Sequence, residues 1–340
     1  MTPRNAISRL ALALATTTAA LACSAPAEGA SVFVTGSSTV EPISVRVAEL
    51  LEDEGAALLV DIEGPGTGDG FEKFCNGDAQ ITDASRAIKA EEIATCEGNG
   101  VDFIELEVAF DGLSVLTSPA NRTVDCLGFA DLYALVGPEA EGSDTWAEAG
   151  RLARELGSST KLPRRPLEIT GPGEESGTYD SFVEIVLSDV ADARVETGAI
   201  TEAEAETTRP DYSSQGDDNA ILQGVAGAEG SLGWVGFAFA QEAGDTVKQL
   251  AIDGGDGCVA PSVETIADGS YPISRPLFVY VNASAAEELP GVATYVDFYL
   301  DGGASAVAEV GYVPLPDDQW QQTVDIWTAR TTGSREGREQ

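Results

Sequence analysis

Histidine is absent from the 340 residues, and methionine occurs only at position 1. Without an imidazole, Ser–His–Asp and Cys–His catalytic sets and histidine-ligated metals are excluded. Lysine is confined to Lys73, Lys89, Lys161 and Lys248, and the formal net charge is −38. A chain this acidic is a poor partner for nucleic acid or for an anionic membrane surface. No apolar run approaches the roughly 20 residues of a membrane-spanning helix. No CxxC pair exists to hold zinc. Neither the phosphate-loop pattern GxxxxGK[ST] nor the GxSxG nucleophile elbow is present. Ser176 stands in Gly-Glu-Glu-Ser-Gly, and no lysine lies in that loop to activate it.

What is present is a globular composition, 43% hydrophobic and 22% charged, with length for one large domain or two ordinary ones. Residues 1–22 read as an export signal. Arg4 and Arg9 supply a positive start, Leu10 to Ala15 a short apolar stretch diluted by Thr16, Thr17 and Thr18, and small residues follow. Removing them takes away two arginines and no acid, so −38 becomes −40. The mature chain is expected in the periplasm or otherwise outside the cytoplasm. Leu21-Ala22-Cys23-Ser24 resembles a lipoprotein cleavage site, at which Cys23 would be acylated and tether the protein; ordinary cleavage after Ala22 or Ala27 is the alternative, and both stay open. Four further cysteines in an exported chain read as two disulfides with three possible pairings. Cys75–Cys96, which closes a short loop, and Cys126–Cys258, which joins distant segments, are favoured.

From Ser31 onward the chain alternates strand, loop and helix three times, the mark of an α/β fold with a largely parallel sheet. Strands are expected at 31–35, 58–62 and 79–82, and a long extended stretch over 103–117. Helices are expected at 131–135, 146–156, 179–187, 217–227, 292–300 and 319–329. Strands are also expected at 167–170 and 276–281, and a buried strand over 230–240. Residues 196–208 read as acidic and solvated, and the polar residues 331–340 as a disordered tail.

Four segments share one design, a β-prone run ending in small and hydroxyl residues that open a helix. They are Gly36-Ser-Ser-Thr39, Gly66-Thr-Gly-Asp-Gly70, Asp83-Ala-Ser-Arg86 and Glu175-Ser-Gly-Thr178. Helix starts present unpaired N–H groups and partial positive charge, glycine allows close backbone approach, and hydroxyls donate hydrogen bonds. Several aimed at one point make an anion site, although each alone also fits an ordinary cap or turn. Arg86 stands in one of these loops, either as an oxyanion ligand or in an ion pair with an acid such as Glu91. Asp69, Asp83, Asp211, Asp217 and Asp218 stand nearby. A carboxylate facing an anion makes sense if the ligand carries a proton, as hydrogen phosphate does and sulfate does not.

The stretches Thr35-Gly-Ser-Ser-Thr-Val40, Gly64-Pro-Gly-Thr-Gly-Asp-Gly-Phe71, Ile81-Thr-Asp-Ala-Ser-Arg86, Gly171-Pro-Gly-Glu-Glu-Ser-Gly-Thr-Tyr-Asp180, Asp211-Tyr-Ser-Ser-Gln-Gly-Asp-Asp-Asn219 and Arg275-Pro-Leu-Phe-Val-Tyr280 occur in one order across the chain. In that order and spacing the chain resembles the PstS-type phosphate-binding proteins of bacterial ABC transporters. The resemblance implies a type II periplasmic-binding-protein fold, with two α/β lobes, a two-strand hinge and a ligand cleft between them. Lobe one would comprise residues 31–112 and 276–330, and lobe two residues 113–275. It implies capture of inorganic phosphate for a membrane-embedded ABC permease, by a monomer with no cofactor and no catalysis. Another oxyanion (sulfate, molybdate or phosphonate) or a phosphatase on the same fold are the alternatives. Carried over, phosphate contacts fall on Ser37, Ser38 and Thr39, on Thr67, Gly68 and Asp69, on Ser85 and Arg86, and on Ser176, Gly177 and Thr178. The better-known branch has an arginine where this chain has Pro172 and an aspartate where it has Arg86. The acid that accepts the ligand proton is therefore open among Asp83, Asp69 and Asp217.

Overall fold

The computed structural model describes residues 31–335 apart from Glu175; the export signal and Cys23 lie outside the described residues. The chain begins β1 (Ser31–Gly36), α1 (Glu41–Asp53), β2 (Leu59–Ile62), α2 (Thr67–Cys75), β3 (Ile81–Ala84), α3 (Ala90–Asn99) and the long β4 (Phe103–Thr117). Next come β5 (Cys126–Gly128), α4 (Phe129–Val136), α5 (Trp146–Glu155), β6 (Glu168–Pro172), α6 (Gly177–Phe182), a π-helical turn at Val183–Leu187, α7 (Ser188–Glu196) and α8 (Glu202–Ala205). β7 (Ser213–Gln215), α9 (Asp218–Gly227), β8 (Ser231–Gly236), α10 (Phe237–Ala243), β9 (Lys248–Gln249), β10 (Ala251–Asp253), β11 (Cys258–Val259) and α11 (Val263–Ala267) complete that half. β12 (Ser274–Asn282) then leads to α12 (Ala283–Glu288), α13 (Pro290–Leu300), α14 (Ser305–Glu309), β13 (Val313–Pro314) and α15 (Asp317–Thr328).

The main sheet runs β2-β1-β3-β12-β4-β8-β6-β7. β1 pairs in parallel with β2 and β3, and β6 with β7 and β8. Between these two parallel sets lie β12 and β4, antiparallel to each other over nearly all of β12. β4 pairs with β12 through Gly112 and with β8 from Leu113 onward, so it crosses from one lobe to the other. It is buried along almost its whole length. The strand is covered on both faces although acids interrupt its apolar residues, and Glu105 and Asp111 are buried with the rest.

Each lobe has its own core. Val32, Val34, Ile43, Val47, Ile81, Leu106 and Tyr295 close around β1 in lobe one. Ile43, Val47 and Leu51 recur at four-residue spacing, which turns one face of α1 inward. Leu132, Trp146, Phe182 and Trp234 centre lobe two, where Phe182 stacks on Trp234 at 4.5 Å between centroids. Both favoured disulfides form, Cys75–Cys96 in lobe one and Cys126–Cys258 in lobe two.

Three expectations are revised. The buried strand over 230–240 ends at Gly236, and Phe237–Ala243 is helical. Phe237 and Ala240 are its buried residues, three apart, so a helical face rather than a pleat buries them. The helix expected over 179–187 instead begins at Gly177 and continues through the π turn to Glu196. The tail is packed as far as Arg335. The Gly333 N–H donates to the Phe103 carbonyl at 2.9 Å, and Arg335 pairs with Glu107 on β4. Residues 336–340 lie outside the described residues.

Candidate functional site

Three loops of lobe one are stitched together through the backbone. The Ser37 N–H donates to the Asp83 carbonyl at 2.9 Å, and the Gly66 N–H to the Gly36 carbonyl at 2.8 Å. Gly36 has φ 128°, and a Cβ there would stand 2.1 Å from the Asp83 carbonyl oxygen, so this junction requires glycine. A Cβ on Gly70 would lie 2.4 Å from the Gly36 Cα, which brings the first turn of α2 against the same junction. Thr67 and Ser85 complete the join, with hydroxyls 3.0 Å apart and the Ser85 N–H donating to the Thr67 hydroxyl at 3.2 Å.

Lobe two meets this platform directly. Ser38 donates its hydroxyl to Asp180 Oδ2 at 2.8 Å, across 142 residues of sequence. The Thr39 and Ser181 hydroxyls are 3.3 Å apart, and a Cβ on Gly177 would touch the Ser38–Thr39 backbone at 3.4 Å. A cavity of about 480 Å³ lies between the lobes. Ser37, Ser38, Thr39, Thr67 and Ser85 line it from lobe one; Asp180, Val183, Glu184 and Glu206 line it from lobe two. Val183 and Glu184 belong to the π turn, a helix irregularity that often marks functional sites.

The two walls differ in chemistry. The lobe-one wall offers hydroxyls. The lobe-two wall offers carboxylates, of which Asp180 is the one bonded to a lobe-one hydroxyl. Burial raises the Asp180 carboxyl above the usual aspartate range and Glu184 adds to the rise, while the Ser38 hydrogen bond and Arg275 oppose it. Behind the cavity, Arg275 on β12 pairs in register with Asp111 on β4. Its guanidinium donates to Ser181 at 2.9 Å, to Thr39 at 3.2 Å and to Asp111 at 3.4 Å, and it pairs with Glu184. Burial raises the Asp111 carboxyl, and Arg275 and a 2.7 Å bond from Ser181 draw it back.

The structure brings Ser37, Ser38, Thr39, Thr67 and Ser85 together, and it sets Gly177 against them. Ser176 and Thr178 are not among the cavity walls; the Ser176 hydroxyl caps its own helix by accepting the Thr178 N–H at 3.2 Å. Gly68 and Asp69 are exposed on the first turn of α2. The Arg86 guanidinium is held by Glu92 through two bonds of 2.9 and 2.7 Å and lies over the Phe71 ring at 5.4 Å. Its partner is thus Glu92 rather than Glu91. Asp83 contributes its backbone but not its carboxyl. That carboxyl is buried beside Ser44, Glu41, Tyr295 and Tyr299, and its Oδ1 has no hydrogen-bond partner. Burial pushes it up to about 8, with Glu41 adding and Ser44 opposing. Asp217 caps α9 by accepting the Asn219 N–H at 2.7 Å, and burial raises its neighbour Asp218. Asp211 is held down to about 2 by Arg209. None of the six charged side chains singled out from the sequence (Asp69, Asp83, Arg86, Asp211, Asp217, Asp218) lines the cavity.

Sequence reasoning missed Asp180, Ser181, Glu184, Arg275 and Asp111. Asp180 and Arg275 stand inside stretches that carry the resemblance, and Asp180 lies within one helical turn of Gly177. Asp111 and Glu184 carry no local signal. No group of three metal-ligating side chains occurs among the described residues, and no described helix is long and apolar enough to cross a membrane.

Residues 22–302 match the model of the PBP superfamily domain. The protein SphX of Synechococcus elongatus is 37% identical over 313 residues, covering 91% of this chain and 85% of that relative. The phosphate-binding protein PstS of Staphylococcus aureus is 30% identical over 291 residues, covering 85% of this chain and 80% of the relative. The crystal structure of a possible phosphate binding protein from Planctomyces limnophilus matches with a TM-score of 0.78 at 32% identity, over 89% of this chain and 99% of that one. With two lobes, two crossing strands and an interlobe cavity in place, the chain belongs to the PBP superfamily and, within it, to the PstS-type phosphate-binding proteins.

Proposed function

We propose that this protein captures inorganic phosphate outside the cytoplasm and delivers it to a membrane-embedded ABC permease. The observation that carries the reading is the 2.8 Å bond from Ser38 to Asp180 across the cleft. It sets the Asp180 carboxylate, an acceptor, against the hydroxyl donors of lobe one, the complement of hydrogen phosphate, which has acceptor oxygens and a proton to give. Sulfate has no such proton and would leave Asp180 facing bare negative charge, a costly arrangement in a half-buried site. The same contrast disfavours molybdate. Asp180 thus takes the proton-accepting role left open among Asp83, Asp69 and Asp217, and Ser37, Ser38, Thr39, Thr67, Ser85 and the backbone at Gly177 supply donors. Residues 31–112 with 276–330, and 113–275, are the two bodies that close on the ligand.

On this reading the protein acts as a monomer, without cofactor or nucleic acid, and binds its ligand without transforming it. Cys23 is the point of lipid attachment if the export signal is cleaved before it. Equilibrium dialysis of ligand-freed protein against labelled phosphate tests the reading. Saturable retention at micromolar phosphate supports it, and none at millimolar phosphate refutes it. Release of phosphate from a nitrophenyl ester would point to the phosphatase alternative instead.

A further inference from the structure

Arg275 occupies a place that phosphate capture alone does not explain. It stands on the hinge strand β12, opposite Asp111 on the hinge strand β4. From there its guanidinium reaches both jaws of the cleft. One nitrogen donates to Thr39 in lobe one at 3.2 Å and to Ser181 in lobe two at 2.9 Å. Another pairs with Glu184 in the π turn, and Nε faces Asp111 at 3.4 Å. The Arg275 side chain is 14% exposed and that of Asp111 3%, and Thr39 and Ser181 are buried, so the bonds to these three form largely out of water, where charge-assisted hydrogen bonds are strong, while Glu184 meets the guanidinium from the exposed side. Arg275 does not itself line the cavity. Arg86, the guanidinium of the expected site, is paired with Glu92.

We propose that Arg275 is the closure latch of the cleft, a positioning residue that holds Thr39 and the Ser181–Glu184 helix in one arrangement and breaks that arrangement when the lobes part. Its contacts to Thr39 and to Ser181 belong to different lobes, so a hinge opening cannot keep both. A planar fork with five donors suits this task, whereas a lysine ammonium cannot span the same four acceptors. Lysine at 275 would keep the charge beside buried Asp111 while losing the bridge.

This inference rests on the phosphate reading for its ligand but is tested apart from it. Spin labels on an exposed residue of each lobe report the interlobe distance distribution, with and without phosphate, in wild type and Arg275→Lys. The latch predicts that Arg275→Lys lowers the closed share several-fold in at least one condition. It also predicts that phosphate leaves the variant at least tenfold faster. Identical distributions and release rates in the two proteins would overturn it. If Arg275→Lys does not fold, Arg275→Gln with Asp111→Asn removes the cation together with its buried counter-charge, and the same two readouts apply. A wild type that closes no further on adding phosphate would sink the phosphate reading, while the ligand-free comparison would still decide the latch.

Discussion

The two walls of the cleft are built in opposite ways. The lobe-one wall is three neighbouring strand-to-helix loops, joined by backbone bonds at Gly36, Ser37 and Gly66 and by the Thr67–Ser85 contact. Its chemistry is hydroxyl and local. The lobe-two wall is a helical run distorted by a π turn, which presents Asp180 and Glu184 and is held from behind by Arg275 and Asp111, with Glu206 after α8 beside it. Its chemistry is charged and assembled from residues far apart in sequence. A wall of donors binds any tetrahedral oxyanion, and the facing acceptor selects one that carries a proton.

The largest expected effects concern the scaffolds. Replacing Cys126 and Cys258 by serine removes a bridge across 132 residues, worth about 5 kcal/mol by loop-closure entropy. Replacing Cys75 and Cys96 frees only 21 residues, worth about 3 kcal/mol. Urea denaturation should rank lobe two as the more dependent on its bridge; equal losses would remove that asymmetry. Gly36→Ala drives a Cβ into the Asp83 carbonyl, and should cost about 3 kcal/mol or more with loss of phosphate binding. Gly177→Ala meets an ordinary 3.4 Å contact and should leave the fold intact. If both behave alike by thermal melting and dialysis, the lobe-one junction is not the rigid side.

Asp180→Asn sharpens the contrast of acceptor and donors. It should cut the preference for phosphate over sulfate at least about tenfold, or about 1.4 kcal/mol, as read by competition titration. An unchanged ratio would take the selecting role from Asp180. A pH-dependent effect comes from Asp83 beneath the lobe-one loops. Its carboxyl is raised from 3.8 to about 8, so the folded state holds the proton more tightly than the unfolded chain. Its contribution is full below the lower value and is lost as pH rises through the upper one. Melting temperature should fall with pH across this window, and Asp83→Asn should flatten the fall. Smallest is Arg86→Ala. Because Arg86 serves Glu92, phosphate affinity should stay within about twofold and stability should drop by about 1 kcal/mol, with a tenfold affinity loss returning Arg86 to the site.

The same contrast explains how much of the site was legible in the sequence. Gly36-Ser-Ser-Thr39 and its neighbours are visible because each lies within one strand, loop and helix start, and the long β4 is visible because residues 103–117 are rich in Phe, Ile, Leu and Val. Arg86 is misleading because the residue that claims it, Glu92, lies six positions on, in the first turn of α3. Asp83 is misleading because its carbonyl, not its carboxyl, serves the loop junction. Arg275 gains meaning only through Asp111, 164 residues away on the neighbouring hinge strand, and no periodicity announces such a pair. Residues 237–240 read as the end of a strand because small and aromatic residues suit both periods, and packing decides in favour of the helix Phe237–Ala243.

The most direct test is calorimetric titration of ligand-freed mature protein with phosphate, run with and without a large excess of sulfate. The account predicts micromolar or tighter binding that sulfate leaves unchanged. No binding heat from folded protein, or displacement by sulfate at comparable concentration, would contradict a donor wall faced by a proton-reading carboxylate.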